Sequence, residues 1–116
     1  MSLHDLDPVI HAPKRLAAMA VLAATDSVDF SFLRDHLGVS DSDLSKQMSA
    51  LADAGYVKIV KTGAGRNRST SYRMTREGRG AFDHHVATLQ AIVAADAGPA
   101  GTSGAVAASS SGSGPE

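Results

Sequence analysis

Apolar positions recur every three or four residues in four stretches of the chain, and alternate with polar positions in two others. The first spacing is typical of one face of an α-helix, whereas alternation is typical of a half-buried strand. The pattern predicts the following elements: helices over residues 14–24, 30–37, 41–54 and 76–95, and strands over residues 56–62 and 70–74. In the first helix the apolar stripe is predicted at Leu16, Met19, Ala20 and Ala23. Val28 and Asp29 are predicted to add a short strand beside the hairpin.

Local signals mark the ends of these helices. Pro13 suits a first helical turn, where its missing N–H would have no partner anyway. Gly38 follows the second helix and can adopt the left-handed conformation that ends it. Ser40 and Asp43 form an S-x-x-D pattern before the third helix, and Thr75 can cap the fourth. The second and third helices are therefore joined by a tight turn.

The outward face of the helix at residues 41–54 has an unusual composition. Leu44, Met48 and Leu51 form its apolar side. The remaining face consists of Ser42, Ser45, Lys46 and Ser49, with Gln47 on its flank. Short hydroxyls allow a close approach to a surface, and Ser, Lys and Gln can donate to base edges and phosphates. The face alone fits a DNA contact or a solvated Ser-rich surface equally well.

The predicted hairpin carries a basic loop. Its turn lies at residues 63–65, followed by Arg66 and Arg68, and the strands add Lys61 and Arg73. Together these side chains form a cationic projection suited to a nucleic acid, although charged loop tips are also common on ordinary surfaces.

The order of these pieces resembles the winged helix-turn-helix domain of MarR- and ArsR-type bacterial transcriptional regulators. The resemblance runs from about Leu6 to Val93 and includes the stretches Ile10–Leu16, Asp53–Val57 and Met74–Arg79. The chain is similar above all to small single-domain winged helix DNA-binding proteins. This implies a mainly α fold with a small β-hairpin, in which the second helix of the motif enters the major groove. The wing then reaches the flanking backbone or the minor groove.

Composition and charge agree with this interpretation. The chain has 116 residues, 43% of them hydrophobic and 20% charged, which is typical of one globular domain. It has no cysteine, membrane span or signal peptide, and we expect a cytoplasmic protein. The net charge of −1 is unevenly distributed: residues 1–31 carry −2, residues 32–80 carry +4 and residues 81–116 carry −3. The positive charge therefore lies in the proposed DNA-reading unit.

The last predicted helix is longer than a small domain can cover. From Arg76 to Ala95 it would extend about 30 Å, comparable with the diameter of a small domain. We therefore predict a two-fold homodimer along its apolar stripe. The predicted interface comprises Phe82, His85, Val86, Leu89, Ile92 and Val93. The alternative is a helix that folds across its own core and frays beyond Leu89.

The two ends of the chain are predicted to lie outside the domain. Residues 1–7 are polar and are predicted to form a flexible N-terminus, followed by the winged helix domain over residues 8–96. Residues 97–116 are rich in Gly, Ser and Ala and are predicted to be disordered.

No enzyme, cofactor or metal site is predicted. His84 and His85 are neighbours on a helix and diverge by about 100°, whereas chelating pairs are spaced by four residues. The sequence lacks a phosphate loop and a nucleophile elbow. Nothing indicates a small-molecule effector, although a mostly aliphatic pocket near the dimer seam is compatible with the sequence.

The sequence thus predicts a transcriptional regulator that binds duplex DNA as a homodimer. Ser42, Ser45, Lys46, Gln47 and Ser49 would face the DNA, with Lys46 and Gln47 contributing most to base discrimination. Lys61, Arg66, Arg68 and Arg73 would hold the wing against the backbone or minor groove. The alternative function is that of a winged-helix protein-interaction module that does not bind DNA.

Overall fold

The computed structural model describes residues 2–101 and consists of five α-helices around a small sheet. The helices are α1 (Pro8–His11), α2 (Pro13–Ala23), α3 (Phe30–Leu37), α4 (Asp41–Asp53) and α5 (Arg76–Gly101). The strands are β1 (Val28–Asp29), β2 (Val57–Thr62) and β3 (Ser69–Met74), and 3-10 turns occur at Leu3–Asp5 and Gly65–Asn67. None of the helices within this described part is long and apolar enough to cross a membrane. The mainly α winged helix-turn-helix fold is confirmed.

The turn between α3 and α4 is set by local chemistry. Gly38 has a φ of 69°, and its N–H donates to the carbonyl groups of the last turn of α3. Ser40 then caps α4, because its hydroxyl accepts from the N–H of Asp43 at 3.1 Å. Arg34 spans the turn and donates to Asp41 at 2.9 Å. The predicted bounds of α3 are confirmed, and those of α4 differ by one residue.

The core lies between α2, α3, α4 and one face of the sheet. Its largest side chains include Met19, Leu22, Leu33, Leu44, Met48 and Leu51, each with at most 1% of its surface exposed. The stripe predicted for α2 is partly wrong, because Ala20 is exposed and Ala18 is buried. An Ala-rich helix gives a weak pattern, since a methyl group contributes little apolar area to either face.

The sheet has the strand order β1-β3-β2, with antiparallel pairing throughout. Val28 pairs with Tyr72, so the predicted short strand at residues 28 and 29 is confirmed. Tyr72 also pairs with Ile59 and is only 2% exposed. The hairpin β2-β3 is therefore anchored by one aromatic side chain while its tip extends into solvent.

Helix α5 begins at the cap that the sequence predicts, since the Thr75 hydroxyl accepts from the N–H of Gly78 at 2.9 Å. It continues to Gly101, six residues beyond the predicted end at Ala95. The helix thus includes residues 97–101, for which the sequence analysis predicted disorder. The rest of the predicted tail, residues 102–116, lies outside the described residues.

The N-terminal segment is tied to the domain at Asp7. The Asp7 carboxylate caps α1 by accepting from the N–H of Val9 at 2.9 Å, and it also accepts from the hydroxyl of Tyr56. The backbone N–H of Asp7 donates to Nδ1 of His85 at 3.0 Å. Asp7, which the sequence analysis placed in a flexible N-terminus, is therefore bonded to residues 49 and 78 positions away in sequence.

Candidate nucleic-acid interface

One face of α4 presents small polar side chains to solvent. Ser42, Ser45, Lys46 and Ser49 are all exposed, while Leu44, Met48 and Leu51 are buried on the opposite face. The three serines follow helical spacing, and Lys46 lies between them on the same side. A face of this kind allows the helix backbone to approach a groove closely and offers hydroxyl and ammonium donors.

Gln47 does not belong to this exposed face. Its side-chain oxygen accepts from Nη1 of Arg15 at 2.8 Å, and its Nε2 donates to Asp43 at 2.9 Å. Arg15 also donates to the carbonyl oxygen of Val9. Both ends of its half-buried amide are thus bonded within the domain, whereas the sequence analysis predicted a base contact for Gln47.

The acidic residues at the start of α4 are also paired within the domain. Asp41 accepts from Arg34, and Asp43 forms an ion pair with Lys14. The hydrogen bond from Gln47 and then that from Lys14 hold the pKa of Asp43 below its usual value. These contacts partly neutralise the carboxylates that would otherwise repel a phosphate near the exposed face.

A cleft joins α4 to the base of the wing. It has a volume of about 140 Å³, and its polar lining comprises Ser45, Ser49, Lys61, Thr70 and Tyr72. Lys61 and Thr70 are cross-strand partners on the sheet face that packs towards the helices. The structure therefore brings Lys61 together with the serines of α4, as one continuous surface.

The wing tip carries the two predicted arginines. Gly63 begins the turn with a φ of 78°, and a Cβ atom there would lie 2.1 Å from the carbonyl oxygen of Asn67. The hydroxyls of Thr62 and Ser69 are 2.7 Å apart and fix the base of the tip. Arg66 and Arg68 are exposed on this tight loop, and Arg68 lines a second cleft with Thr70.

Arg73 lies on the other side of the sheet. Successive residues of a strand point to opposite faces, and Tyr72 points towards the helices. Arg73 and its cross-strand partner Lys58 therefore point away from the cleft that contains Lys61. The sequence analysis grouped Arg73 with the other basic residues, and the structure places it on the opposite face of the sheet from Lys61.

The residues of α5 that were predicted to form the dimer interface fall into two groups, one covered by the chain itself and the other partly exposed. Phe82 packs against the core, and His85 is completely buried by its own chain. His85, predicted to lie in the dimer interface, is therefore placed inside its own domain. Val86, Leu89 and Ile92 remain half-buried, and Val93 is 67% exposed.

The sequence analysis missed three residues that position the interface. Lys14 and Arg15 tie α2 to α4, and Thr70 completes the cleft below the wing. The two basic residues lie 29 and 32 positions from their partners, so no local pattern identifies them. Thr70 could have been found, because strand alternation places it on the face of Tyr72.

Comparisons with known proteins point to one family. The model of the winged helix DNA-binding domain matches residues 14–93. The uncharacterized protein MJ0432 of Methanocaldococcus jannaschii is 23% identical over 78 residues, which cover 67% of this chain and 85% of that protein.

Solved structures share the fold. A transcriptional regulator homologue from Pyrococcus horikoshii is 24% identical with a TM-score of 0.70, over 75% of this chain and 86% of that one. A MarR-family transcriptional regulator from Silicibacter pomeroyi is 22% identical with a TM-score of 0.59, over 78% of this chain and 60% of that one.

Proposed function

The chain belongs to the winged helix DNA-binding domain family, and from this premise we propose that it is a transcriptional regulator that binds specific duplex DNA sequences as a homodimer. Helix α4 lies in the major groove, and the wing at residues 62–70 contacts the flanking backbone or the minor groove. The DNA-binding surface and the association with a second copy of the chain can be tested separately.

The observation that carries the proposal is a surface of uncommitted cations and hydroxyls. In the described part of the chain, Lys46, Lys61, Arg66 and Arg68 form no ion pair, whereas Lys14 and Arg34 are paired. The serines of α4 lie beside Lys61 in the cleft that joins the helix to the wing. Such a surface matches the regular negative charge of a duplex backbone.

The side chains divide into two roles. Ser42, Ser45, Lys46 and Ser49 face the groove, where Lys46 provides most of the base discrimination; a well-formed base contact is worth about 1–3 kcal/mol. Lys61, Arg66 and Arg68 contact phosphates and fix the register of the domain without reading sequence. Gln47 acts inside the domain, where it holds α4 in place.

The dimer is supported by the free side of α5. Leu89, Gln90, Val93 and Ala94 line a groove whose surface is almost wholly apolar. The helix has 26 residues and is about 39 Å long, so its distal half extends beyond the core. The occupant of the groove is the same helix of a second copy, and a two-fold dimer of this kind binds half-sites about one helical turn of DNA apart.

DNA binding at several salt concentrations tests the surface directly. We would measure fluorescence anisotropy of a labelled random duplex with the wild type, Arg68→Ala and Arg73→Ala. Because Arg68 neutralises a phosphate, its loss should weaken binding to all sequences and reduce the slope of log K against log salt by about one. Arg73→Ala removes the same charge from the opposite sheet face and should leave the slope unchanged.

The double variant Arg66→Ala/Arg68→Ala should reduce the slope by about two. Equal effects of Arg68→Ala and Arg73→Ala would place the DNA on a different surface. Failure of the wild type to bind duplex DNA even at low salt would contradict the proposed function and favour a protein partner for the same fold.

A further inference from the structure

A chain of hydrogen bonds joins the N-terminal segment to α5 through two histidines. The backbone N–H of Asp7 donates to Nδ1 of His85 at 3.0 Å. Nε2 of His85 lies 3.3 Å from Nδ1 of His11, and the two rings are tilted by 58° with centroids 5.2 Å apart. His85 is completely buried, whereas His11 is exposed.

The direction of these bonds fixes the protonation of His85. A backbone N–H can only donate, so Nδ1 of His85 must be an unprotonated acceptor. The single proton of the neutral ring is therefore on Nε2 and is donated to Nδ1 of His11. This arrangement also argues against a metal ion between the rings, because the Nε2 lone pair that would bind it is occupied by the proton.

A second proton on His85 would break this series of hydrogen bonds. It would sit on Nδ1, facing the N–H of Asp7. Two donors would then oppose each other in a location where the His85 ring has no access to water.

The surroundings of His85 oppose its protonation overall. Burial is the largest cause that lowers its pKa, and the proximity of His11 adds to it; His84 on the same helix has a smaller effect in the same direction. The Asp7 carboxylate raises the pKa but is already held by Tyr56 and by the N-terminus of α1. The 3-10 turn that also contacts α5 contributes His4 and Asp5, both exposed.

The same segment also contacts the recognition helix. Arg15 bridges the carbonyl of Val9 in α1 and the side chain of Gln47 in α4. Tyr56, which follows α4, donates to Asp7. His85 thus holds α1 at both of its ends, through Asp7 and His11. Arg15 links the same helix to the middle of α4, and Asp7 is bonded to Tyr56 just after α4.

We propose that this histidine pair is a proton-sensitive latch: protonation releases α1 from α5, loosens the support of α4 and weakens DNA binding in mild acid. The inference rests on the proposed function for its last step only. Release of α1 does not depend on DNA and can be measured without it.

The sign of the effect distinguishes the latch from general charge. Protonation of exposed histidines adds positive charge and strengthens binding to phosphates. Protonation of the latch has the opposite effect, because it weakens DNA binding. Its contribution to stability is fully present above the unfolded-state pKa of 6.5 and is lost as the pH falls from there towards the lowered folded-state pKa, because the unfolded chain then binds the additional proton.

The test compares the full chain at about pH 7.5 and about pH 5.5 by two measurements. Hydrogen exchange of the Asp7 amide reports the latch itself, and its protection should fall in acid by up to about tenfold per pH unit after correction for the intrinsic exchange rate. The Kd for duplex DNA should rise by up to tenfold per pH unit, the limit for one linked proton.

Two variants make the test specific. His85→Gln supplies an acceptor for Asp7 and a donor for His11 but does not titrate, so Asp7 should stay protected and the acid-dependent rise in Kd should disappear. His84→Gln removes an exposed neighbouring histidine from the same helix and should retain the wild-type pH response. If His85→Gln does not fold, the ¹⁵N shifts of the wild-type His85 ring give a second measurement, which should show a proton on Nε2 alone at neutral pH.

Either of two results would overturn the latch. One is an Asp7 amide whose protection is the same at about pH 5.5 as at about pH 7.5, and the other is an acid-dependent rise in Kd that persists in His85→Gln. Absence of DNA binding at both pH values would contradict the proposed function instead, and the exchange measurement would still decide whether the latch opens.

Discussion

At the scale of single residues, Gln47 connects the recognition helix to the first half of the domain. Its amide accepts from Arg15 and donates to Asp43, and Arg15 also holds α1 through the carbonyl of Val9. These two bonds direct the amide towards Arg15 and Asp43 within the domain, although each end keeps one further hydrogen-bonding position. The neighbouring Lys46 is exposed and forms no ion pair within the described residues. Two adjacent polar residues are therefore placed differently, one bonded within the domain and the other exposed.

This separation gives opposite outcomes for two alanine variants. Gln47→Ala should lower the free energy of unfolding by about 1 kcal/mol, because Arg15 loses an acceptor. It should leave the ratio of affinities for a selected duplex and a scrambled one unchanged. Lys46→Ala should leave the urea midpoint close to wild type and reduce that affinity ratio. A Gln47→Ala variant of wild-type stability with reduced sequence preference would restore Gln47 to the DNA-reading face.

At the scale of elements, the start of α5 is fixed directly to the end of α4. The N–H of Thr75 donates to the carbonyl of Tyr56 at 3.0 Å, and the Thr75 hydroxyl donates to the carbonyl of Gly55 at 2.6 Å. A Cβ atom on Gly78 would lie 2.1 Å from the carbonyl oxygen of Tyr56. The absence of a side chain at Gly78 is thus what allows the two segments to meet.

Gly78→Ala should therefore destabilise the protein by more than about 2 kcal/mol, because backbone must shift to remove the overlap. Gly80→Ala is the matched control on the same helix, since a Cβ there meets nothing within 4 Å. It should stabilise the protein by about 0.5–1 kcal/mol through helix propensity. Thermal or urea unfolding measures both. Similar effects of the two substitutions would contradict the close approach at Gly78.

The same element boundaries show which features can be predicted from sequence. Gly38, Ser40 and Thr75 act on groups within four residues, so the ends of α3 and the starts of α4 and α5 follow from local chemistry. The partners of His85 lie 78 and 74 residues away and depend on how α1 packs against α5. Arg73 is different: the alternation that identified its strand also places it opposite Tyr72, so the sheet face on which it lies can be predicted from sequence.

At the scale of the whole molecule, α5 has two distinct sides, one packed against its own chain and the other partly exposed. His85 is buried at the side that meets the N-terminal segment, and Thr88, three residues further along the helix, is also buried. Val86, Leu89 and Val93 form the adjacent stripe, at spacings of three and four residues, and Val93 is 67% exposed. A helix buried on one side by its own chain is already oriented, so the remaining stripe presents a fixed surface to a second copy.

Substitution of that stripe tests the dimer. Burial of one such side chain is worth about 1.5–3 kcal/mol, and a two-fold interface contains each residue twice. Val93→Glu should therefore weaken dimerisation by at least about 100-fold and lower the molecular mass measured by light scattering at micromolar concentration. Leu89→Glu should act in the same direction. Ala87→Glu adds the same charge on the far side of the helix, and this control variant should remain dimeric. A wild type that stays monomeric at high concentration would contradict the proposed dimer.

The monomeric variant should still bind a single half-site through α4 and the wing, with a smaller salt slope, because the proposed DNA-reading surface lies within one chain.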